Sequence, residues 1–292
     1  MFRIRHIEIF HAVMQAASVK GAADTLPTTQ PAAPRLLRQA EQSSGVALFQ
    51  RVRGRLVPTV EAQRLFPDVE QLYTQLDAVR RSAANLGAGS DTVLRLLCVP
   101  GLSIEALPRG LGAWTRVHPS VRLTSRTLHS RQIADAIVRR EAELGFALEP
   151  SNHPAAIDQP IGHGRIVCVG LDLPDEPVPL QALADHPLID LDPSDPIGRH
   201  LHIAYDAHGV TPAARVTTSS YHAAIEMAAQ GLGWAVVDSW SALYARRLPG
   251  LKVQPLLPEV RTTAYALQSR DLPWSAAGDA LVERMGQALA GA

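Results

Sequence analysis

The stretch TTQPAAPRLLRQ, Thr28 to Gln39, decides how the N-terminal part of the chain is read. Leu36 and Leu37 offer apolar surface while Arg35 and Arg38 offer charge, the mixture an amphipathic helix carries. Pro31 and Pro34 stand where its first turns should form. A proline inside a helix removes one hydrogen bond, and its ring clashes with the carbonyl four residues back. Thr28 and Thr29 are both good N-caps. Counted from a cap at Thr29, Pro31 is the second helical residue, where an amide proton has no intrahelical partner anyway. Pro34 is the fifth, and its missing amide should have bonded the Gln30 carbonyl. The sequence therefore predicts either a kinked first turn or a helix that starts later, near Pro31. Its end is placed at Ser43, closed by Gly45.

Working outward, Ile4, Ile7, Phe10, Val13 and Met14 recur at helical spacing until Ser18 interrupts them. A short second helix follows, from Val19 to Leu26, in which small Ala22 and Ala23 allow close approach of a neighbour and Pro27 stops the run. Three helices in this order, with a tight turn between the last two, form a helix-turn-helix. Its third helix enters the DNA major groove N-terminus first. In that placement Gln30 pairs with adenine, the Pro31 ring touches a thymine methyl, and Arg35 and Arg38 reach guanine or phosphate. Downstream, VALFQRVRGRLVPT (residues 46–59) puts Gly54 between Arg53 and Arg55, which reads as a short hairpin or wing presenting Arg51, Arg53 and Arg55. A lone surface arginine is usually just solvated. Three on one tight turn beside a helix-turn-helix favour phosphate or minor-groove contact.

Charge supports the same division. The chain of 292 residues is neutral overall, yet residues 1–64 hold nine basic and four acidic side chains, a net +5 that the remainder balances at −5. Such asymmetry suggests that the first segment faces a polyanion. No run of about eighteen apolar residues occurs, and MFRIRHIEIFHAVM lacks an apolar signal core, so a cytoplasmic protein without a membrane partner is expected. Cys98 and Cys168, each in an apolar strand-like run, read as buried core thiols, with a redox pair as the alternative.

After Thr59, the positions Leu65, Val69, Leu72, Leu76, Val79, Ala83 and Leu86 alternate spacings of four and three. That is a coiled-coil seam about three heptads long, against the alternative of an amphipathic helix packed on its own domain. Pro67 should bend it near its start. GAGS, residues 87–90, reads as a hinge. Two paired subunits would span half-sites about 34 Å apart on a partly palindromic operator.

From Val93 the pattern becomes strand (TVLRLLCV), helix (Ser103 to Val117), strand (VRLTSRT), helix (Arg131 to Arg140), strand (LGFAL). A second series runs RIVCVG, LIDL, a helix from Pro196 to His208, ARVTT, a helix from Tyr221 to Gln230, and WAVV. This alternation predicts parallel sheets in two α/β units that bind a ligand where strand ends face each other. Candidate ligand residues at those ends are Pro100, Gly101, Leu102, Ser103, Ser130, Phe146 and Leu148 on one unit. On the other they are Asp192, Ser194, Thr218, Ser219 and Asp238. Ser130 heads a helix, where amides and dipole favour a carboxylate, though plain helix capping accounts for such a serine as well. Two acids at strand ends suit an amino or guanidino group, so the pair of charges suggests an amino acid or related zwitterion.

The motifs AADTL (22–26), TQPAAPRLLRQAE (29–41), GVALFQR (45–51) and Pro58-Thr59 resemble the DNA-binding domain of LysR-type transcriptional regulators. RHIEIFHAVM (5–14) and LFQRVRGRLVPT (48–59) resemble the branch of the lysine-biosynthesis activator and the opine-catabolism regulators. The resemblance implies a winged helix-turn-helix in residues 1–58, and a linker helix and hinge in 59–90 that pairs subunits into a dimer or tetramer. It further implies an effector-binding domain in 91–292, similar to periplasmic binding proteins, with the last strand and helix folded back on the first lobe. One lobe is then 91–161 with 268–292 and the other 162–267. The family position matching Ser130 binds effector acids. Where the family has a DNA-contacting serine, this chain has Pro34. The implied partners are operator DNA, an amino-acid-like effector, a second copy and RNA polymerase. No cofactor or metal is expected. The histidines of GRHLHIAYDAH read as surface or capping residues, and no GxSxG, Walker or HExxH motif points to an enzyme. The rival reading is an α/β small-molecule receptor or enzyme-like protein without DNA binding.

Overall fold

A computed structural model describes residues 2–26, 29–87 and 93–291; of residues 74, 77, 78 and 80–87 it describes the backbone alone. Pro27, Thr28 and most of the GAGS hinge, as well as the seam side chains of Ala83 and Leu86, lie outside what it describes. The chain divides into two compact units, Met1–Ala83 and Ala84–Ala292.

The first unit holds α1 (Ile4–Ala16), α2 (Val19–Thr25), α3 (Ala33–Ser44), the strands β1 (Phe49–Val52) and β2 (Arg55–Pro58), and α4 (Val60–Gly87). Its core is unusually rich in alanine. Ala22, Ala33, Ala40 and Ala62 are wholly buried beside Ile9, Phe10, Val13 and Leu48. Side chains this small let helix axes approach closely, as Ala22 and Ala23 foretold. Ser18 caps α2 by accepting from the Gly21 amide at 3.0 Å.

The start of α3 resolves the proline question in favour of a late start. Thr29 does not cap through its hydroxyl. Its carbonyl instead closes a turn, accepting from Ala32 (2.9 Å) and Ala33 (3.2 Å). The helix begins at Ala33, so Pro34 is its second residue and not its fifth. At that position a missing amide leaves no gap in the ladder, which is taken up by Leu36 donating to Ala32 at 2.9 Å. Gly45, at φ 76°, ends the helix and donates to the Glu41 carbonyl. The Glu41 carboxylate accepts from the Leu48 (2.9 Å) and Phe49 (3.2 Å) amides and so fastens the wing to α3. Thr59 caps α4, accepting from Ala62 and donating to the Ala47 carbonyl.

The second unit carries β3 (Val93–Cys98), α5 (Pro100–Ser103), α6 (Ala106–Val117), β4 (Arg122–Thr127), α7 (Ser130–Val138), β5 (Leu144–Ala147) and β6 (Ala156–Gly170). It continues with β7 (Val178–Pro179), β8 (Leu188–Leu191), α8 (Pro196–His208), β9 (Ala214–Thr218), α9 (Tyr221–Ala229), β10 (Trp234–Asp238), β11 (Lys252–Leu257), β12 (Arg261–Ser269) and α10 (Ala276–Ala290). Strand order is β4-β3-β5-β12-β6-β10-β8-β9. The outer strands of each lobe pair in parallel, as the alternation predicts. The two central strands are antiparallel to their neighbours instead. β6 pairs with β12 along residues 156–165 and with β10 and β11 along 166–170, so one long strand carries the chain from one lobe's sheet into the other's, and residues 258–260 between β11 and β12 carry it back. α10 returns to α6, where the Trp114 indole donates to the Ala277 carbonyl at 2.8 Å. Both cysteines are free and buried; burial raises their thiol pKa values and makes them poor nucleophiles.

Candidate functional site

Two places in the molecule concentrate the residues singled out above. On the first unit, Thr29, Gln30, Pro31, Arg35 and Arg38 are exposed and Pro34 is half-buried, while Ala33, Leu37 and Ala40 on the opposite side of α3 are buried. The helix thus turns its cations outward on a packed base. The Gln30 side-chain amide donates to Asp24 at 3.3 Å, and Arg38 Nε reaches the Pro34 carbonyl at 3.4 Å. In the wing, Val52 pairs with Arg55 and the turn residues Arg53 and Gly54 have φ of 51° and 80°. Two consecutive positive values define a two-residue hairpin turn whose twist matches its strands. Arg51, Arg53 and Arg55 are all exposed around it.

On the second unit a small, nearly closed cleft lies between the lobes. Val99, Pro100, His129, Ser130 and Leu148 line it from the first lobe, and Asp195, Pro196, Ser219 and Tyr221 from the second. Its free space is about 10 Å³, near what a single water needs. Pro100, Ser130, Leu148 and Ser219 are therefore brought together as the strand-end argument expects. Leu102 and Phe146 are instead wholly buried in the core. Ser103 bonds back to the Pro100 carbonyl, and Ser194 is exposed. Asp192 accepts from the Ser194 amide, and Thr218 from that of Ser220. Asp238 is fully buried and accepts from the Trp240 and Ser241 amides; burial raises its pKa to about 6. Neither Asp192 nor Asp238 lines the cleft.

The acid at the cleft is Asp195, which the sequence alone does not single out. It is 9% exposed, caps α8 by accepting from the Ile197 amide at 2.9 Å, and accepts from the Tyr221 hydroxyl at 2.5 Å. Burial pushes its pKa up, and burial with the nearby carboxylates pushes that of Tyr221 higher still. Its signal is the DPSDP run, where an Asp directly before a proline is a ready N-cap. Opposite, Ser130 heads α7 at 6% exposure, and its hydroxyl has no hydrogen-bond partner among the described residues. Three contacts hold the lobes together around this point. Ser241 Oγ donates to the Gly101 carbonyl at 3.1 Å, Arg199 pairs with Glu149 at 2.8 Å, and Arg247 pairs with the buried Glu105 at 2.8 Å. A Cβ at Gly101 would stand 2.7 Å from the Tyr221 ring, so glycine there lets the lobes meet.

The GRHLHIAYDAH histidines divide differently from the surface reading. His208 bonds the Ala204 carbonyl, while His202 Nε2 lies 3.0 Å from the buried carboxylate of Asp190, which also accepts from Tyr205. Among the described residues no group of three or more His, Cys, Asp or Glu could hold a metal ion, and no helix is long and apolar enough to cross a membrane.

Comparison with known proteins agrees with both regions. Residues 4–63 match the bacterial regulatory helix-turn-helix protein, lysR family, and residues 87–290 match the LysR substrate binding domain. The transcriptional activator protein LysR of Escherichia coli is 31% identical over 251 residues, 82% of this chain and 78% of that one. The octopine catabolism/uptake operon regulatory protein OccR of Rhizobium meliloti is 26% identical over 250 residues, 82% and 81% of the two chains. Full-length CbnR complexed with its target DNA shares the fold, with a TM-score of 0.73 at 16% identity over 98% of this chain and 99% of that one. The chain belongs to the LysR family: it is a DNA-binding transcriptional regulator with an effector-binding domain.

Proposed function

We propose that this LysR-family regulator reads its operator with Gln30, Pro31, Arg35 and Arg38, placed by the turn from Thr29 to Ala32. Arg51, Arg53 and Arg55 of the wing then hold the adjacent phosphates or minor groove. Residues 1–58 act as the DNA-binding part, 59–90 as linker, and 91–292 as the effector receiver. Exposed Leu72 (44%) and Val79 (65%) on α4 support pairing with a second copy through the later part of the seam. Leu65 and Val69 pack on the first unit's own core instead. Replacing Leu72 and Val79 by glutamate should give a monomer in sedimentation and an operator affinity lowered together with it. The regulator works in the cytoplasm and meets RNA polymerase at the promoter.

The effector in this reading is an amino acid or a related zwitterionic carboxylate. One observation carries it: the buried Ser130 hydroxyl, without a partner among the described residues, at the head of α7, faces across the cleft a lobe whose buried acid is Asp195. An anion is favoured at a helix N-terminus, and a buried carboxylate gains from an ammonium or guanidinium partner. The naming of octopine for one relative's operon fits that class. A ligand of this kind must part the lobes or displace the Tyr221 hydroxyl from Asp195, because the cleft is otherwise full. Calorimetric titration with basic amino acids, opines and diaminopimelate tests it: heat that disappears in Ser130→Ala and Asp195→Asn is expected. Absence of heat with every one of them would end the zwitterion assignment.

A further inference from the structure

Apart from the cleft, the second unit holds an open groove of about 890 Å³. It lies beside the β6–β12 ladder, where β6 passes between the lobes. Arg165 faces Arg261 and His163 faces Thr263 in the ladder, and the turn at residues 241–247 adds Arg246. Half-buried Leu251 and Val253 supply apolar surface to the same groove, with Val167 and Leu243 buried behind them. None of these residues lines the interlobe cleft.

The charge is lopsided. Against three arginines the groove's lining holds a single carboxylate, Glu259, which lies 3.0 Å from Arg261 and 3.9 Å from Arg165. Arg246 is exposed and has no ion-pair partner among the described residues. Thr262, at 2% exposure, lines the groove and keeps a hydroxyl without a hydrogen-bond partner among the described residues. Cationic and hydroxyl groups that converge beside a smaller apolar area, in a volume of this size, suit a small organic anion.

We propose that this groove binds an organic anion with a flat apolar body, its acid group among Arg165, Arg246 and Arg261 and its body on Leu251 and Val253. Because the groove straddles the strands joining the lobes, such a ligand braces the crossing and sets how readily the lobes part. It is a second regulatory input, separate from the interlobe effector and independent of what that effector is.

The full chain should be titrated with 8-anilinonaphthalene-1-sulfonate, and in parallel with N-phenyl-1-naphthylamine, which has the same rings without the acid. The sulfonate should bind saturably at one per chain, with the neutral compound about tenfold weaker. Arg246→Glu with Arg261→Glu should weaken the sulfonate about tenfold at unchanged melting temperature, since both side chains are exposed. Ser130→Ala should leave the sulfonate affinity as it was. Equal binding of both compounds, indifference to the charge reversals, or loss of binding in Ser130→Ala would each overturn the proposal. So would failure of the sulfonate to bind while the charge reversals change the sedimenting mass, because a second copy of the chain would then cover the groove.

Discussion

The α3 face and the interlobe cleft are both places where this chain meets something charged, and they are built in opposite ways. On α3, Arg35 and Arg38 stand in solvent on a base of Ala33, Leu37 and Ala40. Among the described residues neither has an ion-pair partner, and every residue of the face comes from one stretch of about a dozen. In the cleft, Ser130, Asp195 and Tyr221 are buried and come from segments up to ninety residues apart; Asp195 already holds Tyr221 and the Ile197 amide, while the Ser130 hydroxyl has no partner among the described residues. The exposed face can lose a charge without losing stability; the buried cleft cannot change a group without disturbing the lobes. Exposed charges suit a polyanion whose counterions are released on binding, whereas desolvated groups suit discrimination of one small ligand.

The largest expected effect lies on the exposed face. Arg35→Ala with Arg38→Ala should cost roughly 10- to 100-fold in operator affinity for each base that the shortened side chains no longer reach, with thermal stability unchanged within about 0.5 kcal/mol. A parallel fall in melting temperature would break the contrast. On the buried side, Gly198→Ala should destabilise the second unit by about 3 kcal/mol, because an added Cβ would stand 2.1 Å from the Asp192 carbonyl oxygen. Urea melts read that directly, and an unshifted midpoint would show that α8 has room to move.

A titration effect of similar size sharpens the contrast. Unfolded, Asp238 ionises near 3.8, whereas folded it keeps its proton up to about pH 6. The folded state binds more protons in that window, so stability falls as pH rises from 4 to 6, by about 3 kcal/mol from this group. Asp238→Asn should remove that part of the slope in melts taken between pH 4 and 7, and an unaltered slope would refute the assignment.

The smallest effect belongs to Pro34. At the second residue of α3 it costs the ladder nothing and restrains the unfolded chain. Pro34→Ser should therefore lower stability by about 0.4–1 kcal/mol and leave the start of α3 at Ala33; a helix extended to Gln30 would contradict this.

What was legible in the sequence follows the same contrast. Helical spacing, the wing turn at Arg53-Gly54 and the outward cations of α3 are local patterns, and the structure repeats them within a residue or two. The helices α8 and α9 and the strands β8 and β9 were equally plain, since caps and alternation bracket them. The cleft was legible only by half. Strand-end logic found Pro100, Ser130, Leu148 and Ser219, but it chose Asp192 and Asp238 where folding delivers Asp195 and Tyr221. Asp238 follows a strand and looks available, yet its carboxylate is consumed by the turn at Trp240 and Ser241. Which capping acid of a loop faces a cleft is decided by packing between lobes, and no local pattern records it. The pairing of β6 with β12, and the extension of β6 upstream of RIVCVG, escaped for a related reason. Their pairing joins residues about a hundred apart, and Gly162, Gly164 and Pro160 interrupt the alternation that would mark a strand.

The measurement that tests the account most directly is operator affinity against salt. The full chain should be titrated onto the DNA adjoining its own coding region at stepped ionic strength, beside a variant carrying Arg51→Ala, Arg53→Ala and Arg55→Ala. A steep fall in log affinity with log salt is expected, with a slope shallower by about 0.9 for each wing arginine that touches a phosphate. A slope that is flat, or identical in the two proteins, would contradict a DNA face made of exposed cations on α3 and the wing.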